Sequence, residues 1–313
     1  MNIIFIMIQI DTEKKGILFM NYKKLKDMNI SDIILGTDYY GMKYPRETCF
    51  EIMKLYISDG GNMIDTARMY CGGKSEETIG YFLRINNLTD KVYIATKAAH
   101  PPLENMSQNR LSPEEIEADT DKSLKALKRD YIDLLWLHRD DVRVPVCSII
   151  DTLDALVKKG KIRHYGASNW TGKRIADANE YAKKINAEGF SASQIQWSLA
   201  KHNGSDDKTI VIMNDNEYEF YKKSKIPVFA FCSQAKGFFE KYALGQLSEK
   251  ARDRFLNADN IKTFEKLKQK SIDTGKSISS LSLMYLTENK DFDTFAIIGP
   301  SNPEQLKQSL DIR

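Results

Sequence analysis

Short runs of β-branched and aromatic residues alternate with longer amphipathic segments from residue 31 to the end of the chain. Strands that alternate with helices pair in parallel, because each helix carries the chain back to the same edge of the sheet. The eight strand candidates are Ile33–Thr37, Met63–Ala67, Val92–Lys97, Leu134–His138, His164–Ser168, Ser193–Trp197, Pro227–Cys232 and Thr294–Gly299. The amphipathic segments are Glu47–Ser58, Ser75–Ile85, Pro113–Lys128, Ile149–Lys159, Lys173–Lys184, Glu217–Lys223 and Ile261–Ile272.

Two parallel architectures fit this alternation, a closed (β/α)₈ barrel and an open doubly wound sheet. No Gly-x-Gly-x-x-Gly motif follows the first strand candidate, so the usual sequence signature of a doubly wound dinucleotide site is missing. Eight strands in a chain of 313 residues are typical of a barrel. We therefore expect an α/β fold of the (β/α)₈ TIM barrel type. The polar stretches Lys201–Asn214 and Lys236–Asp259 are expected to be loops at the barrel mouth.

Helix starts are marked by two capping boxes, at Ser112–Glu115 and Asn302–Gln305, each with proline at the first helical position. The chain has no Pro/Gly-rich linker, repeat or low-complexity segment, which indicates one domain. The apolar run Ile3–Ile10 is too short to span a bilayer and has no basic residue before it. We expect residues 1–19 to be an N-terminal extension outside the fold, and residues 20–313 to form the barrel.

Charge and cysteine usage exclude several classes of function. The formal net charge is only +3, and the basic residues are spread along the chain, so we expect no nucleic-acid partner. The four cysteines lie far apart with no Cys-x-x-Cys pair, which favours reduced thiols over a disulfide framework or a zinc site. No His-x-His or His-Glu-x-x-His motif occurs, so we expect no metal. We expect a cytoplasmic protein with no membrane partner, and the oligomeric state stays open.

Polar residues lie at or just beyond the carboxyl ends of three consecutive strand candidates, where barrel enzymes place their active sites. They are Asp65 and Tyr70, then Lys97, then His138. A phenol with a pKa of about 10 is a poor acid, but an adjacent ammonium lowers that pKa and a carboxylate holds the ammonium in place. A neutral histidine then orients a carbonyl substrate. The remaining requirement is a hydride donor, which a nicotinamide cofactor supplies.

Each of these residues also has a structural explanation. A tyrosine after a strand usually packs at the rim, an aspartate often caps a helix, and a lysine is often a solvated charge. A single histidine is more often hydrogen-bonded structure than a catalyst. The catalytic interpretation depends on the four lying at neighbouring strand ends, which packing alone does not predict. His100 and His202 are expected to be ordinary loop residues.

The chain resembles the aldo-keto reductase superfamily over almost its whole length, from about Tyr22 to Ser309. The segments that carry the resemblance, in the family's order, are Asp65–Tyr70, Ala95–Lys97, Ser123–Leu124, Asp130–Asp133, Leu134–His138 and Gly166–Asn169. The resemblance implies a barrel that reduces aldehydes or ketones to alcohols. It also implies that Tyr70 donates the proton, that Lys97 and Asp65 tune it, and that His138 orients the carbonyl.

The resemblance further implies where the cofactor is bound. Ser168, Asn169 and Gln194 match residues that hydrogen-bond the nicotinamide carboxamide, and Phe231 matches an aromatic that stacks on its ring. The other residues implied along the cofactor are Thr37, Asp65, Cys232, Ser233, Gln234, Lys236, Gly237, Gly299, Ser301, Gln305 and Ser309. Cys232 stands where the family commonly has serine.

The adenosine-phosphate segment departs from many relatives, because only Ser301 and Gln305 stand where a Lys-Ser pair and an arginine grip the 2′-phosphate. We expect NADP as the cofactor, with NAD possible and discrimination between them weakened. A second hypothesis is an NAD(P)H-binding sensor or regulatory subunit that turns over slowly, and the four matching catalytic positions favour the enzyme. The partner is expected to be a small-molecule carbonyl substrate that the sequence does not name.

Overall fold

The computed structural model describes residues 20–108, 110–204 and 207–311. Residues 1–19, expected to lie outside the fold, are not among them. The strands are β1 (Tyr22–Leu25), β2 (Met28–Ser31), β3 (Ile33–Gly36), β4 (Met63–Asp65), β5 (Tyr93–Ala98), β6 (Ile132–Leu137), β7 (Ile162–Ser168), β8 (Ser193–Gln196), β9 (Val228–Phe231) and β10 (Thr294–Ile298).

Strands β3 to β10 form a closed parallel barrel in sequence order, with β10 pairing with β3 to complete it. The expected (β/α)₈ barrel is therefore confirmed, and the doubly wound alternative is excluded because the sheet has no free edge. All eight barrel strands agree with their sequence candidates to within two residues at each end. The agreement follows from burial on both faces, which makes these strands nearly continuous apolar runs.

Helices follow the barrel strands and cover the outside of the sheet. They are α1 (Arg46–Ser58), α2 (Lys74–Ile85), α3 (Pro113–Leu127), α4 (Val146–Lys158), α5 (Gly172–Lys184), α6 (Asp215–Ser224), α7 (Phe238–Ala243), α8 (Glu249–Phe255), α9 (Ala258–Thr274), α10 (Ile278–Thr287) and α11 (Pro303–Leu310). Both expected N-caps are confirmed: Ser112 accepts a hydrogen bond from the Glu115 amide and Asn302 accepts one from the Gln305 amide.

The expectation that Lys236–Asp259 forms only loops is wrong. Within it lie two short helices, α7 and α8, which bury Phe238, Phe239 and Phe255 against α9 and α10. Helix α10 was also not expected, because apolar residues run along most of its circumference and hide the helical period. Packing against one another makes these segments helical, because their sequences carry no clear amphipathic pattern.

The hairpin β1–β2 precedes the barrel and closes its amino-terminal end. It is antiparallel, and its Leu25 and Met28 are buried with the residues that fill the barrel interior. That interior contains a layer of stacked rings, in which Phe229 and Phe295 have centroids 4.4 Å apart and Trp136 lies 5.0 Å from Phe229. Since this end is filled, the carboxyl ends of the strands are the face left for chemistry. Among the described residues, no helix combines the length and the apolar character that crossing a membrane would require.

Candidate active site

The four residues expected to form the catalytic group lie together at the carboxyl ends of β4, β5 and β6. Asp65 ends β4, Lys97 is the next-to-last residue of β5, and His138 follows β6 directly. Lys97 Nζ forms an ion pair with Asp65 and donates to the Thr66 carbonyl at 2.8 Å. The Tyr70 ring centroid lies 4.9 Å from Lys97 Nζ and 5.8 Å from the His138 ring centroid. Parallel register explains the grouping, because it aligns the ends of neighbouring strands.

Tyr70 is presented by a 3₁₀ turn, Tyr70–Gly73, between β4 and α2. Its amide donates to the Ala67 carbonyl at 3.0 Å, and the next residues have left-handed backbone conformations, with φ of 52° at Cys71 and 94° at Gly73. This sharp turn brings the phenol back over Lys97. A continuous helix from residue 66 would instead carry Tyr70 away from the strand ends.

The pKa of Tyr70 is raised above its ordinary value of about 10, chiefly because the side chain is buried. The positive charge of Lys97 opposes this effect, while Asp65 and Asp38 add to it. The sequence predicts that Lys97 lowers this pKa, and Lys97 does act in that direction, but the net shift is upward. Desolvation of the phenolate outweighs the attraction of an ammonium that Asp65 already neutralises. Tyr70 is therefore a neutral phenol near pH 7, the form that can donate a proton.

Lys97 stays charged although only 2% of the residue is exposed. Burial lowers the pKa of Lys97, but the neighbouring Asp65 and Tyr70 more than offset this and raise the pKa above its ordinary value. Asp65 is held in turn, since Gln194 Nε2 donates to its Oδ1 at 2.9 Å. Thr37 Oγ1 donates to the Asp65 carbonyl at 2.9 Å, so this hydroxyl helps to fix the backbone at Asp65.

His138 is held in its neutral form. Burial lowers the pKa of His138 well below its ordinary value of about 6.5, and the charges of Arg139 and Lys97 act in the same direction. Its Nδ1 has no hydrogen-bond partner among the described residues, although the atom is buried. A neutral imidazole with an unpaired nitrogen is suited to a polar group of a ligand.

His100 lies against His138, with ring centroids 4.6 Å apart, and is only 7% exposed. Burial, followed by the charge of Arg139, lowers the pKa of His100 to about 4. The sequence by itself predicts only an ordinary loop residue at His100. Its position two residues after β5 was the signal that it belongs with the other strand-end side chains.

Amide and hydroxyl side chains lie beside the catalytic group at the ends of β7 and β8. The Asn169 amide nitrogen Nδ2 lies 3.2 Å from Ser168 Oγ and 3.3 Å from the His138 carbonyl oxygen. The Asn169 backbone amide donates to the Gln194 carbonyl at 2.9 Å, which fixes these two residues next to each other. The structure thus brings together Ser168, Asn169 and Gln194, as the sequence analysis expected.

The segment after β9 forms a series of tight turns next to these amides. Phe231 is partly exposed, and left-handed conformations follow at Cys232, Lys236 and Gly237. Ser233 is buried and donates to the Ile297 carbonyl at 2.6 Å, so its hydroxyl ties this segment to β10. Burial raises the pKa of the Cys232 thiol above its ordinary value, which leaves it protonated.

The last group of expected cofactor residues surrounds the start of α11. Ser301 donates to Gln305 Oε1 through its amide at 2.9 Å and its hydroxyl at 2.8 Å. Gln234 Nε2 donates to Ser309 Oγ at 3.1 Å, which connects the β9 segment to this helix. Gly299 follows β10 and is exposed. The expected cofactor residues from Ser168 to Ser309 therefore form a band along the ends of β7 to β10 and α11, whereas Thr37 and Asp65 lie at the ends of β3 and β4.

Three aromatic residues follow the ends of β3 and β7: Tyr39 is 40% exposed, whereas Tyr40 and Trp170 are almost fully buried. Trp170 packs edge-on against Phe190 with centroids 5.0 Å apart. Packing therefore accounts for Tyr40 and Trp170, and Tyr39 alone lies at the surface of the mouth.

Comparisons with known proteins give one family match and several similar proteins. The model of the aldo/keto reductase family matches residues 32–313. A norsolorinic acid reductase from Dothistroma septosporum is 28% identical over 58% of this chain and 50% of its own length. An aryl-alcohol dehydrogenase from Pestalotiopsis microspora is 30% identical over 49% of this chain and 41% of its own length. The chain thus spans about half the length of these relatives or less. An uncharacterised oxidoreductase from Bacillus subtilis is 27% identical over 90% of this chain and 87% of its own.

Proposed function

The chain belongs to the aldo/keto reductase family, and from that premise we propose that it reduces aldehyde or ketone carbonyls to alcohols with Tyr70 as the proton donor. The observation that carries the proposal is a partly buried, neutral phenol whose ring centroid lies 4.9 Å from the Nζ of a charged Lys97. A phenol is an acid only if its phenolate is stabilised as it forms, and Lys97 is positioned to do so.

Each catalytic side chain has a separate part in the proposal. Tyr70 transfers its hydroxyl proton to the carbonyl oxygen and is left as a phenolate, which regains a proton from solvent. Lys97 stabilises that phenolate, and Asp65 keeps Lys97 in place through their ion pair. Neutral His138 donates a hydrogen bond to the carbonyl oxygen and orients it. A nicotinamide, when bound, supplies the hydride that the carbonyl carbon accepts.

The residues of the band from β7 to α11 are chemically suited to a nicotinamide dinucleotide. Ser168, Asn169 and Gln194 offer the hydroxyl and amide groups that a carboxamide needs, and Phe231 offers a partly exposed aromatic face. The amino terminus of α11 and the positive charge of Lys236 suit phosphates. We propose that this band, from Ser168 to Ser309, holds the cofactor, and that residues 20–313 form a single catalytic domain.

We propose NADPH as the preferred reductant, with weak discrimination against NADH. Ser301 and Gln305 are hydrogen-bonded to each other, and neither brings a charge to the 2′-phosphate. A phosphate held by neutral groups and a helix terminus is bound less tightly than one held by two cations. The ratio of kcat/KM for NADPH and NADH measures this preference directly.

The replacement Tyr70→Phe tests the proposed function. We expect kcat to fall by about 10²- to 10⁴-fold, the usual effect of losing a general acid, because phenylalanine keeps the ring and removes the proton. The affinity for NADPH should stay within about twofold of the wild type, since the ring still fills its site. Turnover is followed by NADPH absorbance with aromatic aldehydes, which one relative's name suggests as first substrates, and binding by fluorescence titration.

Tyr285→Phe is the matched control, because Tyr285 is 45% exposed on α10 and should be replaceable without loss of activity. Undiminished turnover in Tyr70→Phe contradicts the assignment of the proton donor. Tight NADPH binding by the wild type, with no consumption across aldehydes, ketones and quinones, supports the sensor hypothesis instead.

A further inference from the structure

Arg139 follows the catalytic His138 directly, and its side chain is only 11% exposed. Its Nη1 donates to the His138 carbonyl at 2.9 Å and its Nε donates to Thr209 Oγ1 at 3.0 Å. Both acceptors are neutral. The guanidinium is thus anchored beside the reacting groups by hydrogen bonds that do not neutralise its charge.

Among the described residues, the carboxylate that pairs with Arg139 is that of Asp207, and this ion pair is long. Asp207 Oδ2 lies 3.7 Å from Nη2, beyond hydrogen-bond distance, and the Asp207 side chain is 36% exposed. The other carboxylate oxygen, Oδ1, accepts from the amide and the hydroxyl of Thr209. Solvent and Thr209 therefore weaken the hold of Asp207 on the guanidinium.

Other largely buried arginines are compensated more closely. Four of them, each at most 22% exposed, have a carboxylate oxygen between 2.6 and 3.3 Å away: Arg68, Arg110, Arg129 and Arg174. Burial lowers the pKa of Arg139, and Asp207 does not restore it. An undercompensated buried cation is costly, and the cost falls when an anion binds next to it.

Among the described residues, several groups near Arg139 are uncharged or already paired. His138 and His100 are both neutral, and the charge of Lys97 is already matched by Asp65. Arg139 is close enough for its charge to act on Tyr70 as well as on both histidines.

We propose that Arg139 determines specificity by binding a carboxylate of the substrate, so that the preferred substrates are aldehydes or ketones that also carry a carboxylate. This inference rests on the proposed carbonyl reduction. A guanidinium presents a planar fork of N–H donors that a carboxylate accepts in a bidentate manner. Such a contact fixes the carbonyl relative to Tyr70 while Arg139 stays anchored at His138.

Matched acid and ester substrates test this proposal. The pairs are 4-carboxybenzaldehyde with methyl 4-formylbenzoate, and succinic semialdehyde with methyl 4-oxobutanoate. We expect Arg139→Gln to lower kcat/KM for the acids by about tenfold or more and for the esters by less than about twofold. Arg139→Lys should give an intermediate loss for the acids, because the charge remains and the bidentate geometry is lost.

Arg143→Gln is the matched control, since Arg143 lies in the same loop, is 68% exposed and pairs with Asp141. This substitution also removes one positive charge from the barrel mouth. It should change kcat/KM by no more than about twofold for either the acid or the ester of each substrate pair. Equal losses for acid and ester in Arg139→Gln overturn the proposal, because they assign Arg139 to holding the loop at Thr209. The proposal is also overturned if Arg139→Gln leaves kcat/KM unchanged for both the acids and the esters.

A binding measurement separates failure of this inference from failure of the proposed function. Terephthalate and its dimethyl ester are added to the NADPH-saturated wild type and to Arg139→Gln, and the melting temperature is recorded. Stabilisation by terephthalate alone, lost in Arg139→Gln, supports the carboxylate site even if neither aldehyde is reduced. Absence of that stabilisation contradicts the site, and turnover of the esters then leaves the carbonyl reductase intact.

Discussion

At the scale of single residues, burial affects Tyr70 and His138 in opposite directions and leaves both uncharged. It raises the pKa of the phenol, whose charged form is an anion, and lowers the pKa of the imidazole, whose charged form is a cation. The charge in the group is confined to the Lys97–Asp65 pair. The site thus has a neutral proton donor and a neutral orienting group beside one ion pair that stabilises the phenolate.

These pKa directions predict a flat pH profile. Because the pKa of His138 lies below about 6.5 and that of Tyr70 above about 10, neither group titrates between them. We expect kcat/KM for carbonyl reduction to vary by less than about twofold from about pH 6 to about pH 9. Stopped assays at constant ionic strength measure it. An acid limb near pH 6.5 that disappears in His138→Gln would contradict the neutral assignment of His138.

His100 is easily missed when only the last residue of each strand is considered. It is separated from β5 by one residue, Ala99, which has a left-handed conformation with φ of 62°. That conformation turns the chain and brings the His100 ring against His138. The turn depends on the tertiary environment and not on a residue type that favours it, so the sequence carries only a weak signal for this pair.

At the scale of elements, the Tyr70–Gly73 turn is held by Arg68. Arg68 Nη2 donates to the Gly72 carbonyl at 3.3 Å, and Nη1 lies 2.6 Å from the buried carboxylate of Glu76. Glu76 also accepts from the hydroxyl of Thr96, next to Lys97. One buried carboxylate therefore connects the turn that presents Tyr70 with the strand that presents Lys97.

Gly73→Ala is predicted to disturb this arrangement. A Cβ at residue 73 would lie 1.1 Å from Arg68 Nη2, so the guanidinium must move away from the turn. We expect a loss of about 2–4 kcal/mol in the free energy of unfolding, from this clash and from the left-handed backbone. We also expect kcat to fall by about tenfold or more, since a displacement of about 1 Å at the reacting group is costly.

Gly72→Ala is the control for that prediction. Gly72 is left-handed too, with φ of 64°, but nothing lies within 4 Å of its Cβ position. It should lose only about 1 kcal/mol and keep kcat within about twofold. Urea unfolding and NADPH-coupled assays measure both variants. Equal effects of the two substitutions would show that backbone strain, and not the position of Arg68, governs the turn.

At the scale of the whole molecule, the barrel has one filled end and one reactive end. Leu25 and Met28 of the β1–β2 hairpin are buried at the amino-terminal end, together with interior residues such as Phe295. The hairpin is also tied to β7, because His164 bonds to Asp27 in the hairpin turn at 2.7 Å. The catalytic group lies at the opposite ends of the strands.

Met28→Ala is predicted to destabilise the protein without altering its chemistry. Met28 is fully buried, and truncating a buried methionine costs about 2–5 kcal/mol through lost contacts and the cavity left behind. The exposed Met42 is the matched control, and Met42→Ala should change stability by less than about 0.5 kcal/mol. Denaturant unfolding gives both values. A Met28→Ala protein as stable as the wild type would mean that the hairpin does not contribute to the barrel core.

The sequence predicts the structure best where an element is buried along its whole length or begins at a clear cap. Strand β6 is buried along its whole length and reads as an apolar run, and α3 has Ser112 as a cap and Pro113 at its start. The hairpin and α7, α8 and α10 were not predicted. Their stability comes from contacts with residues distant in sequence, such as Met28 with the barrel interior, which no local pattern encodes.

The amino-acid sequence by itself determined the barrel and the candidate catalytic group, because the alternation of strands and helices, the strand ends and the order of Asp65, Tyr70, Lys97 and His138 are local features of the chain. Only the tertiary structure determined the charge states of the residues in the site. The direction of the Tyr70 pKa, the neutrality of His138 and the undercompensated charge of Arg139 depend on burial and on partners from other strands. Desolvation is a property of the folded environment, so it cannot be deduced from residue type or spacing.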